Sequence, residues 1–179
     1  MKRFYKKVSA LKQGENFVIT LDDKPVKTPV GNPLMTPHPK LADAVVQEWD
    51  AQEVDIKPKT MVMTQLLNVE VDLGQPGDVR RELEKEVLAY INSDLICYEA
   101  DSPETLKQCQ SAAWAPIRQI FEEETGIRLK LSPTINYVDQ DPKLKKFGAE
   151  YLDSLTPPEF TAFQALVGPL GSFFITKAF

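Results

Sequence analysis

The period of the hydrophobic pattern changes near residue 36, and this change constrains the fold more strongly than any other feature of the sequence. Before it, short runs rich in β-branched and aromatic residues lie between turn signals, which predicts strands at 4–11, 17–21 and 24–28. After it, apolar residues recur three and four positions apart, as on one face of a helix. We therefore expect an α+β fold, in which a small antiparallel meander precedes a larger, mainly helical part.

Three regions are expected along the chain. They are a β-rich amino-terminal domain at 1–36, a helical connection at 37–77 and a helical carboxy-terminal domain at 78–179. Within the first region, Asp22 and Asp23 stand between two predicted strands. Aspartate enters left-handed backbone conformations more readily than most residues, so this pair is acceptable as a two-residue hairpin loop.

Helices are predicted where the helical period continues between two breaks. Their ranges are 39–52, 62–69, 79 to the low nineties and 103–126, followed by helices that begin near Asp141 and Thr156. The candidate caps are Thr60, Asp78 and Ser102, together with a capping box formed by Thr156 and Glu159. Between the fourth and fifth helices, the runs 127–131 and 135–138 predict a second hairpin.

The fourth predicted helix carries a regular apolar stripe. The stripe consists of Leu106, Cys109, Ala113, Ile117 and Ile120. Pro116 lacks a backbone N–H and is expected to kink the helix, and Gly126 is placed to end it.

Charge and hydropathy exclude two classes of partner. The net charge is −5 and no local basic patch opposes it, which disfavours nucleic acid. No run approaches the roughly 18 apolar residues of a membrane span, so we expect a soluble chain that is not membrane-embedded.

Few residues offer chemistry. Cys97 and Cys109 lack the spacing and histidine partners of a zinc site, and His38 is the single histidine. No phosphate-binding loop or serine nucleophile motif occurs. The sequence predicts no enzyme, no cofactor and no metal.

Asp94 is the residue that local physics explains least. It lies in the otherwise apolar run 93–98, just after a predicted helix. A buried aspartate needs hydrogen-bond donors, and the backbone N–H groups of the following turn would supply them. A direct role in binding is the alternative interpretation.

Several strings together resemble one family, the assembly chaperones of the F-type ATP synthase catalytic head. The strings are 21–29 (LDDKPVKTP), 48–52 (EWDAQ), Thr60-Met61 with Thr64, 93–98 (SDLICY), and Gln110 with Trp114 and Pro116. The resemblance implies a β-rich first domain, a helical second domain, and neither cofactor nor turnover. It also implies a partner, the unassembled α subunit, and we expect a monomer in the bacterial cytoplasm or, in a eukaryote, the mitochondrial matrix.

The resemblance also raises an expectation about the end of the chain. The family normally continues beyond the region of Phe179, so we expect this chain to lack the terminal segment. The loss of a terminal helix would leave part of a group of aromatic residues uncovered; the group consists of Phe160, Phe163, Phe173, Phe174 and Phe179. The candidate partner-binding residues are Phe163, Phe173, Phe174 and Asp94.

Two other functions are kept as alternatives. One is a small carboxylate-dependent hydrolase or transferase that uses Asp94 and Glu48 in a cleft. The other is a general protein-interaction domain with an unrelated partner.

Overall fold

The structure, a computed structural model, describes residues 1–74 and 79–179. The chain divides into two compact units, Met1–Val79 and Arg80–Phe179. The first contains an antiparallel sheet and the second is mainly helical, which confirms the predicted α+β class. Among the described residues, no helix is both long and apolar enough to cross a membrane.

The sheet of the first unit is organised around its second strand. The strands are β1 (Val8–Gln13), β2 (Asn16–Leu21), β3 (Lys24–Pro25) and β4 (Met35–Thr36). All three others pair with β2 in antiparallel fashion, and β1 pairs from Val8 opposite Leu21 to Gln13 opposite Asn16. The turn that joins β2 to β3 places Asp22 and Asp23 at φ 47° and 65°, which confirms the two-residue hairpin.

The first strand is shorter at its start than predicted. The backbone N–H groups of Lys6 and Lys7 donate to the Asp22 carboxylate, at 3.0 and 2.8 Å, and not to a neighbouring strand. These hydrogen bonds lower the pKa of Asp22. The ring of Tyr5 is buried and its hydroxyl donates to the carbonyl of Trp49 at 2.6 Å. Hydrogen bonds to the Asp22 carboxylate therefore replace the predicted strand pairing of the N–H groups of Lys6 and Lys7.

Two helices cover the sheet. They are α1 (Pro39–Asp50), which starts at the predicted proline, and α2 (Val62–Leu73), which follows a 3₁₀ turn at Pro58–Thr60. The core they share with the sheet is made of Ile19, Leu34, Ala42, Val45 and Leu67. The segment 37–77, predicted as a separate connection, thus shares one hydrophobic core with the β-rich part as far as it is described.

The second unit is built from five helices in its described part. They are α3 (Val79–Asn92), α4 (Glu104–Thr125), α5 (Lys143–Ser154), α6 (Pro157–Leu170) and α7 (Phe173–Ala178), with a 3₁₀ turn at Leu95–Cys97. Its fully buried side chains include Ile91, Ile96, Leu144, Leu152, Phe160, Phe173 and Phe174. The last helix, α7, was not predicted from the sequence.

The second predicted hairpin is wrong. Residues 127–138 form no strand, and a single parallel bridge joins Ser132 to Tyr98. The side-chain amide of Gln140 occupies the place of a partner strand, since it accepts from the N–H of Lys130 at 3.0 Å and donates to its carbonyl at 2.8 Å. A buried glutamine therefore satisfies backbone groups that an adjacent strand would otherwise satisfy.

The predicted helix caps and helix end are confirmed in part. Gly126 ends α4 in the left-handed conformation at φ 68°, and Thr156 with Glu159 forms the predicted capping box. The hydrogen bonds from Thr156 lower the pKa of Glu159. Neither Thr60 nor Ser102 caps a helix through its side chain. The predicted cap Asp78 lies outside the described residues.

Candidate functional site

Asp94 connects two elements of the second unit. Its carboxylate is fully buried between α3 and the 3₁₀ turn, and it accepts from the N–H of Ile96 at 3.2 Å. It also accepts from the hydroxyl of Ser172 at 2.5 Å and from the N–H groups of Phe173 and Phe174 at 2.7 and 3.2 Å. The predicted capping role is confirmed, and the same carboxylate holds the start of α7, which is 78 residues away.

Burial dominates the electrostatics of this carboxylate. Loss of hydration raises the pKa of Asp94 from its ordinary value of 3.8 to about 6, although the hydrogen bonds that it accepts act in the opposite direction. Burial likewise raises the pKa of the neighbouring Cys97 thiol to about 12. The Cys97 thiol therefore stays protonated at neutral pH and is not poised as a nucleophile.

The predicted aromatic residues form a core and not a surface. Phe163, Phe173 and Phe174 are buried, and the rings of Phe163 and Phe173 meet edge to face with centroids 5.0 Å apart. Phe160 is buried as well, whereas Phe179 is 92% exposed, so the uncovered part of the predicted aromatic group is Phe179. In this arrangement the three rings stabilise the second unit, and their part in partner binding stays a prediction.

Glu48 is the other carboxylate of the enzyme alternative, and it too accepts hydrogen bonds from the start of a helix. Its Oε1 accepts from the N–H of Met63 at 2.7 Å, and its Oε2 accepts from the N–H and the hydroxyl of Thr64, both at 2.8 Å. It thus caps α2 from the neighbouring helix α1, in the position where the sequence suggested Thr60. Asp94 and Glu48 lie in different units, and each satisfies a helix start in its own unit.

The rest of the string 48–52 also has a structural role. The Gln52 amide donates to the Glu48 carbonyl at 2.9 Å and accepts from the N–H of Lys57 at 2.7 Å. The Arg3 guanidinium donates to the carbonyl of Asp50 at 3.0 Å and to its carboxylate at 3.3 Å. This string therefore fixes the loop between α1 and α2 and anchors the amino terminus.

An apolar surface that the sequence did not predict to be exposed lies on α4. The predicted stripe exists, and we call Leu106, Cys109, Ala113, Ile117 and Ile120 the α4 stripe. Of the helix's 22 residues only Phe121 is buried. Leu106 is 44% exposed and Ile120 55%, Cys109 and Ala113 are exposed, and Ile117 is half-buried. The apolar face of α4 is thus largely uncovered.

A groove adjoins the carboxy-terminal end of this stripe. It has a volume of about 250 Å³ and lies between α4 and α7, lined by Ile117, Ile120, Phe121, Phe174 and Ala178. The ion pair of Lys177 with Glu124, 2.6 Å long, contributes the polar part of its lining. The arrangement suits an apolar side chain and offers no chemistry of its own. In the described part of the chain, no group of acidic, histidine or cysteine residues is arranged to hold a metal.

Comparisons with known proteins agree with one another. Residues 2–122 match the family model described as ATP12 chaperone protein. The mitochondrial protein atp12 of Schizosaccharomyces pombe is 26% identical over an alignment of 149 residues, and the match covers 78% of this chain and 48% of the relative. The chain therefore spans about half the length of that curated relative.

Solved structures extend the similarity to nearly the whole chain. Atp12 from Paracoccus denitrificans matches with a TM-score of 0.77 and 30% identity, over 99% of this chain and 75% of that chain. The Atu1473 protein from Agrobacterium tumefaciens matches with a TM-score of 0.78 and 32% identity, over 99% of this chain and 66% of that chain.

Proposed function

The chain belongs to the ATP12 chaperone protein family, and from this premise we propose that it assists assembly of the F-type ATP synthase by binding the unassembled α subunit of the catalytic head. The family match over residues 2–122 is the observation that carries the proposal. It covers every string on which the sequence resemblance rests. The chain works by binding and not by turnover.

The bound chaperone covers an apolar surface of the free α subunit that later meets a neighbouring subunit. Aggregation is suppressed while that surface is covered, and assembly displaces the chaperone. Binding must therefore be reversible. An interface of about 1,600 Å² spans micromolar to picomolar affinity, so exchange requires modest contacts at its centre and not a small area.

The carboxylates support a binding role over a catalytic one. Glu48 and Asp94 are both engaged in helix caps, so neither is free to exchange a proton with a substrate. We propose further that the chaperone acts as a monomer, in the mitochondrial matrix or the bacterial cytoplasm, since both mitochondrial and bacterial relatives occur.

Light scattering during refolding of the α subunit tests the proposal. Denatured α subunit is diluted with and without an equimolar amount of this protein, and the β subunit refolded in the same way is the control client. We expect suppression of scattering for α and none for β. Equal suppression of both would indicate a general interaction domain, and no suppression of α would contradict the proposal.

A further inference from the structure

We infer that a pocket of the first unit binds one side chain of the client, and that this side chain is aromatic or large and aliphatic with carboxylates beside it. The inference rests on the proposed function, since the client is the unassembled α subunit. The pocket has a volume of about 420 Å³, and its lining lies within residues 2–122, the part that matches the family model. We call it the hairpin pocket, and the residues that define it are Phe4, Tyr5, Lys24, Val26, Lys27 and Trp49.

Three aromatic rings form one wall of the hairpin pocket. The rings of Phe4 and Tyr5 meet edge to face with centroids 5.5 Å apart, and those of Tyr5 and Trp49 with centroids 5.6 Å apart. Tyr5 is buried, Trp49 is half-buried and Phe4 is 66% exposed, so the row of rings runs from the core to the surface. Aromatic rings favour offset or edge-to-face contact with a further ring. The wall therefore suits a bulky apolar side chain.

The exposed ring of Phe4 stands on a fixed backbone. On one side, the N–H of Arg3 donates to the Val54 carbonyl at 2.9 Å. On the other side, the N–H of Lys6 donates to the Asp22 carboxylate at 3.0 Å. An exposed aromatic residue between two fixed neighbours loses little conformational freedom on binding, which favours its use as a contact residue.

The charged groups at the rim define the rest of the bound segment. Lys24 and Lys27 are exposed, and neither side chain forms an ion pair or a hydrogen bond within the described part of the chain. Asp22 also belongs to the lining, but its carboxylate accepts from the N–H groups of Lys6 and Lys7. The two unpaired ammonium groups therefore complement carboxylates that flank an apolar side chain.

The shape of the site favours insertion of a side chain over addition of a strand. Pro25 of β3 lines the pocket and has no N–H to donate to an added strand, and β3 is two residues long. A cavity of about 150 Å³ can hold a benzene ring, and ligand pockets range from about 300 to 1,000 Å³. A side chain that fills such a pocket commonly contributes much of the binding energy of a larger interface.

The net charge of the chain favours an acidic protein segment over nucleic acid. At −5, the protein as a whole repels a polyanion. Two lysines beside an apolar pocket suit a contact with one or two carboxylates, which is a local interaction. Such a contact is also readily reversed, as the proposed release of the client requires.

Paired charge reversals test the lysines. Lys24→Glu with Lys27→Glu reverses the charge of the rim. Lys57→Glu with Lys59→Glu makes the same change of net charge at two exposed lysines of the same unit that lie outside the pocket. Denatured α subunit is diluted into each tagged variant, and the captured α subunit is measured against variant concentration. We expect the rim variant to bind about tenfold more weakly and the control to bind as the wild type does, with a smaller difference at high salt.

Phe4→Ser tests the aromatic wall in the same assay. Its matched control is Val30→Ser, because Val30 is 65% exposed and lies outside the pocket. We expect about tenfold weaker binding for Phe4→Ser and little change for the control. Circular dichroism verifies that all four variants fold.

Two failures are distinguishable in these measurements. If the wild type binds the α subunit and the folded pocket variants bind it as tightly as their controls do, the hairpin pocket is not the docking site and the chaperone function stands. A wild type that neither binds the α subunit nor suppresses its scattering would overturn both proposals.

Short overlapping peptides that cover the α subunit identify the occupant. We expect the wild type to retain peptides in which an aromatic or large aliphatic residue stands beside Asp or Glu, and the pocket variants to lose them. Retention of basic peptides alone would overturn the inference. So would a single-stranded oligonucleotide that binds the wild type and not the pocket variants, or a dimer that sedimentation detects in the wild type and not in those variants.

Discussion

Helices α1 and α4 both carry a regular apolar face, but α1 buries its face and α4 leaves its stripe exposed. In α1, Ala42 and Val45 are buried against Leu34 and Leu67 and the sheet. In α4, an equally regular stripe remains at the surface, and Phe121 beside it enters the core. The comparison teaches that hydrophobic periodicity identifies the apolar face of a helix but not whether the fold covers that face.

The two carboxylates that cap a helix other than their own also differ in burial. Glu48 caps α2 from a half-buried position, and Asp94 caps α7 from a fully buried one. Both make similar hydrogen bonds to backbone N–H groups. Burial raises the pKa of Asp94 to about 6, so the cap that it forms depends on pH in this range.

The largest expected effect is on the free energy of unfolding, and it distinguishes the buried apolar face of α1 from the exposed stripe of α4. Val45→Asp places a carboxylate in the core at a position with 0% exposure, and we expect it to lower the free energy of unfolding by about 5 kcal/mol. Ile120→Asp changes an exposed position, and the expected change is within about 0.5 kcal/mol. Urea denaturation followed by circular dichroism measures both. A similar loss for Ile120→Asp would mean that the α4 stripe is covered.

The next effect concerns the buried cap. Asp94→Ala leaves the Ser172 hydroxyl and the N–H groups of Phe173 and Phe174 without their acceptor, and we expect a loss of about 4 kcal/mol. Hydrogen exchange should show the amides of 173–178 exchanging faster. Asp94→Asn keeps an acceptor oxygen and should lose less. Unchanged exchange in α7 would contradict the capping role.

The pH dependence of stability tests the buried cap at Asp94. Because folding raises the pKa of Asp94 from 3.8 to about 6, the folded protein binds more protons than the unfolded chain in this range. The contribution of this group is therefore greatest at low pH and falls as pH rises, by at most about 3 kcal/mol, and it levels off above about pH 6.

Asp94→Asn isolates this contribution, because other carboxylates titrate in both proteins. Asp22 and Glu159, for example, have lowered pKa values and contribute in the opposite direction. We expect the difference in unfolding free energy, wild type minus variant, to decrease between pH 4 and pH 7 in urea titrations. A difference that is constant with pH would show that Asp94 keeps its ordinary pKa.

A smaller loss of stability is expected at the half-buried cap than at the buried one. Glu48→Ala removes the acceptor for Met63 and Thr64, but water can reach this helix start, so we expect a loss of about 1 kcal/mol. Thermal unfolding measures the change. A loss as large as that of Asp94→Ala would show that burial does not distinguish the two caps.

The sequence by itself determined the features that depend on neighbouring residues. The Asp22-Asp23 turn, the proline start of α1, the Thr156 and Glu159 capping box and the Gly126 helix end all follow from local backbone preferences. The fold class also followed, because the periods of two and of 3.6 residues are local signals. Capping by Asp94 was predicted only for the adjacent turn.

Tertiary structure decided everything that requires two distant segments to meet. Asp94 reaches Ser172, and Gln140 replaces a partner strand at Lys130, through contacts that no local pattern contains. A six-residue helix has little stability alone, and the Asp94 contacts stabilise the start of α7 beside the local cap that Ser172 provides to the N–H of Ile175. The exposure of the α4 stripe has the same origin, since the apolar area on a helix is fixed by its residues and its burial by what packs against it.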